Sequence, residues 1–220
     1  MKKKILHLGI SSPEFFLEDS VVSAPILTLT NIPLQEEFKS HLNQAGYLII
    51  TSKALVNFFL KPYRDLLRPS LKILAIGTKT KQAIEEENFN IFATAKIATQ
   101  EGIIDLLKTV NFQDQLVLYP HSDLARPLIK EFFLKNNIQN LSFSCYQTQK
   151  NPLFEKKDLQ SFDGVYFTSP SCVKFFFETY CQGYEHLMFY CIGDVTTNYL
   201  KTLFGESELV KRIVNMQNKD

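Results

Sequence analysis

The chain has 220 residues, a formal net charge of +1, 45% hydrophobic residues and 21% charged residues. That length suits one large domain or two small ones, each burying a modest core. The near-neutral charge excludes a broad electrostatic footprint, so neither nucleic acid nor a membrane surface is expected as a partner. No apolar run is long enough to span a bilayer. The basic run Lys2-Lys3-Lys4 leads into an apolar stretch that contains His7 and stops at Ser11-Ser12-Pro13. This reads as a buried first strand and not as a secretory leader, so a cytoplasmic protein is expected.

In chain order the pattern predicts strands over 5–10, 26–29 and 47–50, then a helix over 54–60. A strand over 73–76, a helix over 79–87, a strand over 91–93 and a helix over 101–110 follow. Next come a strand over 116–119, a helix over 124–136 and a strand over 141–146. The last third predicts a strand over 165–167, a helix over 171–180, a strand over 188–192 and helices over 196–204 and 206–216. Most strand segments are continuously apolar, as strands buried on both faces are. Their alternation with helices predicts an α/β fold with parallel sheets flanked by helices.

Two segments repeat. Leu48-Ile-Ile-Thr51-Ser52-Lys53-Ala-Leu-Val56-Asn-Phe58-Phe59 matches Val165-Tyr-Phe-Thr168-Ser169-Pro-Ser171-Cys-Val173-Lys174-Phe175-Phe176. Downstream, Ala75-Ile76-Gly77-Thr78-Lys79-Thr80 matches Cys191-Ile192-Gly193-Asp-Val-Thr196. Thr51 to Gly77 is 26 positions and Thr168 to Gly193 is 25. Motifs recurring in one order at one spacing indicate a duplicated domain. The polar, proline-containing stretches 30–35 and 147–152 then read as two crossings between domains. The expected inner domain is 35–147. The expected outer domain is discontinuous, combining 1–30 with 151–220, and the two domains face each other across a cleft.

Each repeated turn falls where a strand ends and a helix begins. The first helical N–H groups lack intrahelical partners and the helix dipole adds positive charge there, so such a turn attracts anions. In open α/β sheets ligands lie beyond the carboxyl ends of the strands. The turns holding Thr51, Ser52 and Lys53, Thr78, Lys79 and Thr80, Thr168, Ser169 and Ser171, and Gly193, Thr196 and Thr197 are therefore candidate contacts to a large ligand carrying several carboxylates. Taken singly, Ser and Thr at these positions are most simply helix caps, and Lys53, Lys79 and Lys174 are most simply solvated.

Other chemistries are excluded by absence. There is no dinucleotide fingerprint, phosphate-binding P-loop or nucleophile elbow. The four cysteines, Cys145, Cys172, Cys181 and Cys191, form no C-x-x-C pair, and His121 and His186 are not at zinc spacing from them. Reduced, core-buried cysteines are expected, with no metal.

The motifs together resemble those of the uroporphyrinogen-III synthase family. The two Thr-Ser turns are similar to its F-T-S-x-x-A/G-V turns, and the two Ile-Gly turns to its A-I-G-x-x-T turns. Gln100-Glu101-Gly102-Ile103 resembles its x-E-G-L helix start. Leu118-Tyr-Pro120-His121-Ser122-Asp123-Leu-Ala-Arg126-Pro-Leu128 resembles L-x-P-R-G-D-L-A-R-x-x-L. Cys145-Tyr146-Gln147-Thr148 resembles the V-Y-x-T strand. The resemblance implies two similar α/β domains joined by a two-stranded linker, with hydroxymethylbilane as substrate and no cofactor. It implies loss of the terminal hydroxyl, inversion of the last pyrrole ring through a spiro intermediate, and closure to the type III macrocycle. It also implies transient handover of the substrate from hydroxymethylbilane synthase. Tyr146 matches the family's tyrosine and is the candidate catalytic group, a phenol able to donate to the departing hydroxyl. Thr196 and Thr197 follow as contacts to a propionate. Arg126 fits the family pattern and equally fits a simple ion pair.

The sequence departs from the family in three places, one being that Gly9-Ile10-Ser11-Ser12-Pro13 runs quickly into Val21 where a full helix is usual after the first strand. His121-Ser122 stands where Arg-Gly is usual. From Gly193 to Ser207, taken as the counterpart of Gly102, the spacing is 14 positions against 25 from Gly77 to Gly102. One strand and one anion-binding turn are therefore expected to be missing from the outer domain. A degenerate, non-catalytic polycarboxylate-binding relative is the alternative that this raises. No sustained heptad or apolar stripe is present, so a monomer is expected.

Overall fold

The structure, a computed structural model, describes residues 2–10, 16, 20–205 and 207–216. Ser11, Ser12, Pro13 and Glu206, invoked above, lie outside the described residues.

The strands are β1 (Lys4–His7), β2 (Ser20–Ser23), β3 (Leu27–Asn31), β4 (Tyr47–Ile50), β5 (Lys72–Ala75) and β6 (Ile91–Thr94), followed by β7 (Val117–Ser122), β8 (Asn140–Lys150), β9 (Gly164–Phe167), β10 (Met188–Cys191) and β11 (Ile213–Asn215). The helices are α1 (Glu36–Lys39), α2 (Lys53–Leu55, continued by a π-helical turn Val56–Leu60), α3 (Thr78–Glu85), α4 (Gln100–Leu107), α5 (Leu128–Lys135), α6 (Pro170–Thr179) and α7 (Asp194–Phe204). The chain divides into two units, Met1–Leu29 with Thr148–Asp220, and Thr30–Gln147.

In the second unit the sheet order is β3-β8-β7-β4-β5-β6. Its central strand β4 is buried along its whole length, which is why Tyr47-Leu-Ile-Ile carries no polar alternation. One face packs Tyr47, Ile49, Leu74, Val117 and Tyr119 against Ile103 and Leu107 of α4 and Ile129 and Phe133 of α5. At the start of α4 Thr99 caps the amide of Gly102. A Cβ on Gly102 would overlap the Ile97 carbonyl oxygen, so the helix approaches its preceding loop more closely than any side chain permits.

In the first unit the order is β11-β10-β9-β1-β2, all parallel. One face buries Leu6, Val165, Phe167, Phe189 and Cys191 under Phe176 of α6 and Leu200 of α7. The other buries Ile5, Tyr166 and Tyr190 with Phe16 and Met216. The alternation of Val165 and Phe167 against Tyr166 follows from the two-residue period of a strand. Pro170 occupies the first turn of α6, where its missing N–H costs nothing, and α7 ends on Gly205 at φ 56°.

Apart from β3, which has no counterpart, the two orders coincide. Strands β4, β5 and β6 are matched by β9, β10 and β11, and β7 and β8 are matched by β1 and β2. The second copy is thus completed by strands from the other end of the chain.

Three expectations are corrected. Residues 206–216 do not form a helix: Glu208–Arg212 is a short 3-10 turn and Ile213–Asn215 is a strand paired with β10. Leu209, Val210, Ile213 and Val214 mimic a helical face by spacing, but the β-branched residues fit an extended edge. The strand expected to be missing is therefore β11, and Ser207 precedes it, so Ser207 is not the counterpart of Gly102. Second, α5 begins at Leu128 and not at 124, because Pro127 has no N–H to give and is tolerated only at a helix start. Third, Cys181 is exposed, while Cys145, Cys172 and Cys191 are buried and all four are unpaired.

Among the described residues no helix is long and apolar enough to cross a membrane.

Candidate functional site

The candidate turns fall at the carboxyl ends of the central strands in each unit. In the second unit Ile50 and Ala75 are paired, so Thr51, Ser52 and Lys53 emerge beside the Gly77 turn. Ser52 is the N-cap of α2 and accepts from the Leu55 amide at 3.4 Å. Thr51 is half-buried and Lys53 exposed; Thr78 and Lys79 are exposed and Thr80 is buried. In the first unit Phe167 and Cys191 are paired. Ser169 caps α6 through the Cys172 amide at 3.3 Å, the same three-residue reach as Ser52. Thr168 and Ser171 are half-buried, and Gly193 is buried at the start of α7. Thr196 and Thr197 are buried at 2% and 5% exposure, and the Thr197 hydroxyl donates back to the Gly193 carbonyl at 2.9 Å. The repeated serines thus act as caps in both copies.

Tyr146 has a more particular setting. It lies in β8 at 8% exposure. Its hydroxyl is 3.3 Å from the Ser52 Oγ, and its ring stacks on Phe58 at 5.3 Å and 23°. Phe143, three residues earlier, packs on Phe59. In a regular strand, residues an odd number apart face opposite ways, yet Phe143 and Tyr146 both meet the helical segment that begins at Lys53. A bulge explains this. His121 pairs with Ser144 but Ser122 pairs with Tyr146, so Cys145 is the extra residue and Tyr146 is turned onto the α2 face.

Burial pushes the Tyr146 phenol above its ordinary range, opposed by its hydrogen bond with the Ser52 hydroxyl. The group is a neutral phenol at physiological pH. Neighbouring Tyr119, also deprived of water, is pushed up to about 12. His121 is pulled below its ordinary value, first by burial, so it is neutral. Its Nδ1 donates to the Ser122 carbonyl at 2.8 Å, which leaves Nε2 as the bare ring nitrogen. Among the described residues Nε2 has no partner.

Arg126 forms a two-pronged pair with Glu101 at 2.7 and 2.9 Å, holding that carboxyl at about 2. Both side chains are largely exposed, so the pair adds little stability. Lys174 reaches Glu178 at 3.9 Å on a helix surface.

Sequence reasoning singled out Tyr146 and Ser52 separately without joining them. It missed Phe58 as the stacking partner and assigned nothing to Ser122. Phe58 carried a signal, since it sits six residues after Ser52 on the same short helix; the bulge carried none.

Comparison with known proteins converges on one family. A family model described as uroporphyrinogen-III synthase HemD matches residues 19–211. The structure of a uroporphyrinogen-III synthetase from Helicobacter pylori is similar over 94% of this chain and 91% of that one, at 20% identity and a TM-score of 0.66. A mutant uroporphyrinogen III synthase from Thermus thermophilus is similar over 91% and 88%, at 17% identity and a TM-score of 0.62. At these identities the structural likeness speaks for the fold, whereas the sequence match spans every strand of the second unit's sheet and β2, β9 and β10 of the first, with the turns at their ends. The chain belongs to the uroporphyrinogen-III synthase family.

Proposed function

We infer that this protein is a cyclising lyase of tetrapyrrole biosynthesis, a uroporphyrinogen-III synthase acting on hydroxymethylbilane. The match of the family over residues 19–211 carries this reading. The reaction removes one hydroxyl as water, which needs a proton, and releases one proton from the pyrrole carbon that closes the ring. A single neutral acid that gives a proton and takes one back balances both steps.

Tyr146 is the group proposed for that role. It is buried, uncharged and hydrogen-bonded to the Ser52 hydroxyl, so it donates without first losing a charge, and the same hydroxyl stabilises its phenolate. Thr51, Ser52, Thr78, Thr80, Thr168, Ser169, Ser171, Gly193, Thr196 and Thr197 are proposed to bring the helix-start amides and hydroxyls of their turns to the substrate's carboxylates. Lys53 and Lys79 add positive charge at the exposed rim of the inner turns. Holding the two reacting carbons in contact supplies much of the acceleration. The protein is proposed to act as a cytoplasmic monomer that needs no cofactor and receives the bilane from hydroxymethylbilane synthase.

The test is a coupled assay. Porphobilinogen and hydroxymethylbilane synthase generate the bilane with or without this protein, and the oxidised type I and type III products are separated. Type III product above the control is expected. Type I product alone from folded protein would sink the enzymatic reading and leave a tetrapyrrole-binding relative.

A further inference from the structure

We propose that Leu124 is a substrate-contact residue, giving a pyrrole ring of the bilane an apolar seat at the strand ends beside Tyr146. The proposal rests on the reading of those strand ends as the substrate site, and adds the contact that the polar turns there do not make.

The chemistry of the ligand sets the requirement. A linear tetrapyrrole is a run of flat rings with apolar faces and carboxylates at their edges. In the second unit, the turns holding Thr51, Ser52, Lys53, Thr78, Lys79 and Thr80 offer hydroxyls, amides and charge. These suit carboxylates and leave ring faces unmatched. Sites for such molecules are lined mainly by apolar side chains, with a few polar groups fixing orientation. The carboxyl end of this sheet therefore needs an apolar group that faces solvent in the free protein.

Leu124 meets that need. It lies two residues beyond the end of β7 and is 58% exposed. A lone exposed leucine is ordinary, but this one is held in place. The Asp123 amide donates to the Tyr146 carbonyl at 3.0 Å, the Leu124 amide to the Ser122 Oγ at 3.0 Å, and the Ala125 amide to the Ser122 carbonyl at 3.1 Å. Arg126 then grips Glu101 in the first turn of α4. Asp123 through Arg126 are thus each fastened, the first of them to Tyr146 itself, and a loop so held loses little further freedom when a ring settles on it. Ile97 repeats the arrangement three residues beyond β6, at 63% exposure. The next residue, Ala98, packs on Gly77, where an added Cβ would meet its own at 2.7 Å. An apolar side chain therefore stands next to the Gly77 turn as well as next to Tyr146. Leu134, near the end of α5, is 81% exposed and lies at the opposite end of the sheet. It is the same residue type without the setting, and serves as the control.

The experiment measures kcat and KM for type III product in Leu124→Ser, Leu124→Met and Leu134→Ser, with a thermal melt of each. In L124S the KM should rise about 5-fold, the worth of burying about half a leucine side chain, at an unchanged melting temperature. L124M should recover most of it, and L134S should match the parent. In protein with 13C-labelled leucine methyls, the signals lost in L124M should shift when uroporphyrinogen III is added, while those lost on substituting Leu134 stay in place. An unchanged KM in L124S would overturn the proposal and leave the synthase reading intact. So would an equal KM rise in L134S, or Leu124 methyl signals that stay put while other signals of the protein respond to the tetrapyrrole. A parent protein that makes no type III product and shows no shifted signal would remove the synthase reading itself, and the proposal with it.

Discussion

The Tyr146 hydroxyl lies 3.3 Å from the Ser52 Oγ, the same oxygen that caps α2. One serine therefore ties the candidate acid to the start of the helix on which the acid's ring is stacked. Tyr146→Phe should keep the fold and its melting temperature, because the ring contact with Phe58 survives, and should lower kcat by about 100-fold, the usual reach of a general acid. Steady-state kinetics of type III formation checks it. Unaltered kcat would show that the phenol takes no part.

Ser52 and Ser169 perform the same capping task in the two copies. Alanine at either should cost about 1 kcal/mol in urea unfolding, and aspartate at Ser169 should restore most of it. Ser52→Ala should also lower kcat, because Ser52 touches Tyr146, whereas Ser169→Ala, at a proposed carboxylate contact, should raise KM at unchanged kcat. Equal kinetic losses at both sites would contradict that distinction.

His7 and His121 are both buried, at 1% and 4% exposure, and burial pulls both below the ordinary histidine value. Their folded pKa values are depressed relative to the unfolded chain, so the unfolded chain binds more protons as pH drops below about 6.5. Stability should be insensitive to these two groups above that pH and should fall progressively below it. In His7→Gln and His121→Gln the slope of unfolding free energy between pH 6.5 and 5 should be shallower than in the parent. Parallel slopes would mean that the imidazoles titrate alike in both states.

Val214 is paired with Tyr190 across β11 and β10 and is half-buried beside the cluster under that face. Val214→Asp should destabilise the first unit by about 2 kcal/mol through an unpaired carboxylate. Amides of β10 should exchange with solvent faster than in the parent while those of β4 and β5 stay protected. Unchanged β10 protection would argue against the β11 pairing.

How much of this was legible in the sequence follows from burial. Strands β4, β5, β9 and β10 read clearly because both their faces are buried, which erases polar alternation from Leu48-Ile-Ile and Val165-Tyr-Phe. Capping serines read clearly because capping is settled within three residues. Short β2 and β11 did not, since Ser20–Ser23 and Ile213–Asn215 are partly exposed edges with too few residues to display a period. The start of α5 was misplaced because apolar spacing from 124 onward outweighed one proline.

The amino-acid sequence by itself determined the α/β class, the family and the turns that begin the helices, all of which depend on neighbours a few positions away. Only the tertiary structure decided the face on which Tyr146 lies, its meeting with Ser52 94 positions earlier, and the entry of β1 beside β9. Pairing between parallel strands is set by contacts far apart in the chain, and one extra residue in such a pair reverses every side chain beyond it. Nothing local in Ser144-Cys145-Tyr146 announces that reversal, yet it is what carries the phenol to the Ser52 hydroxyl.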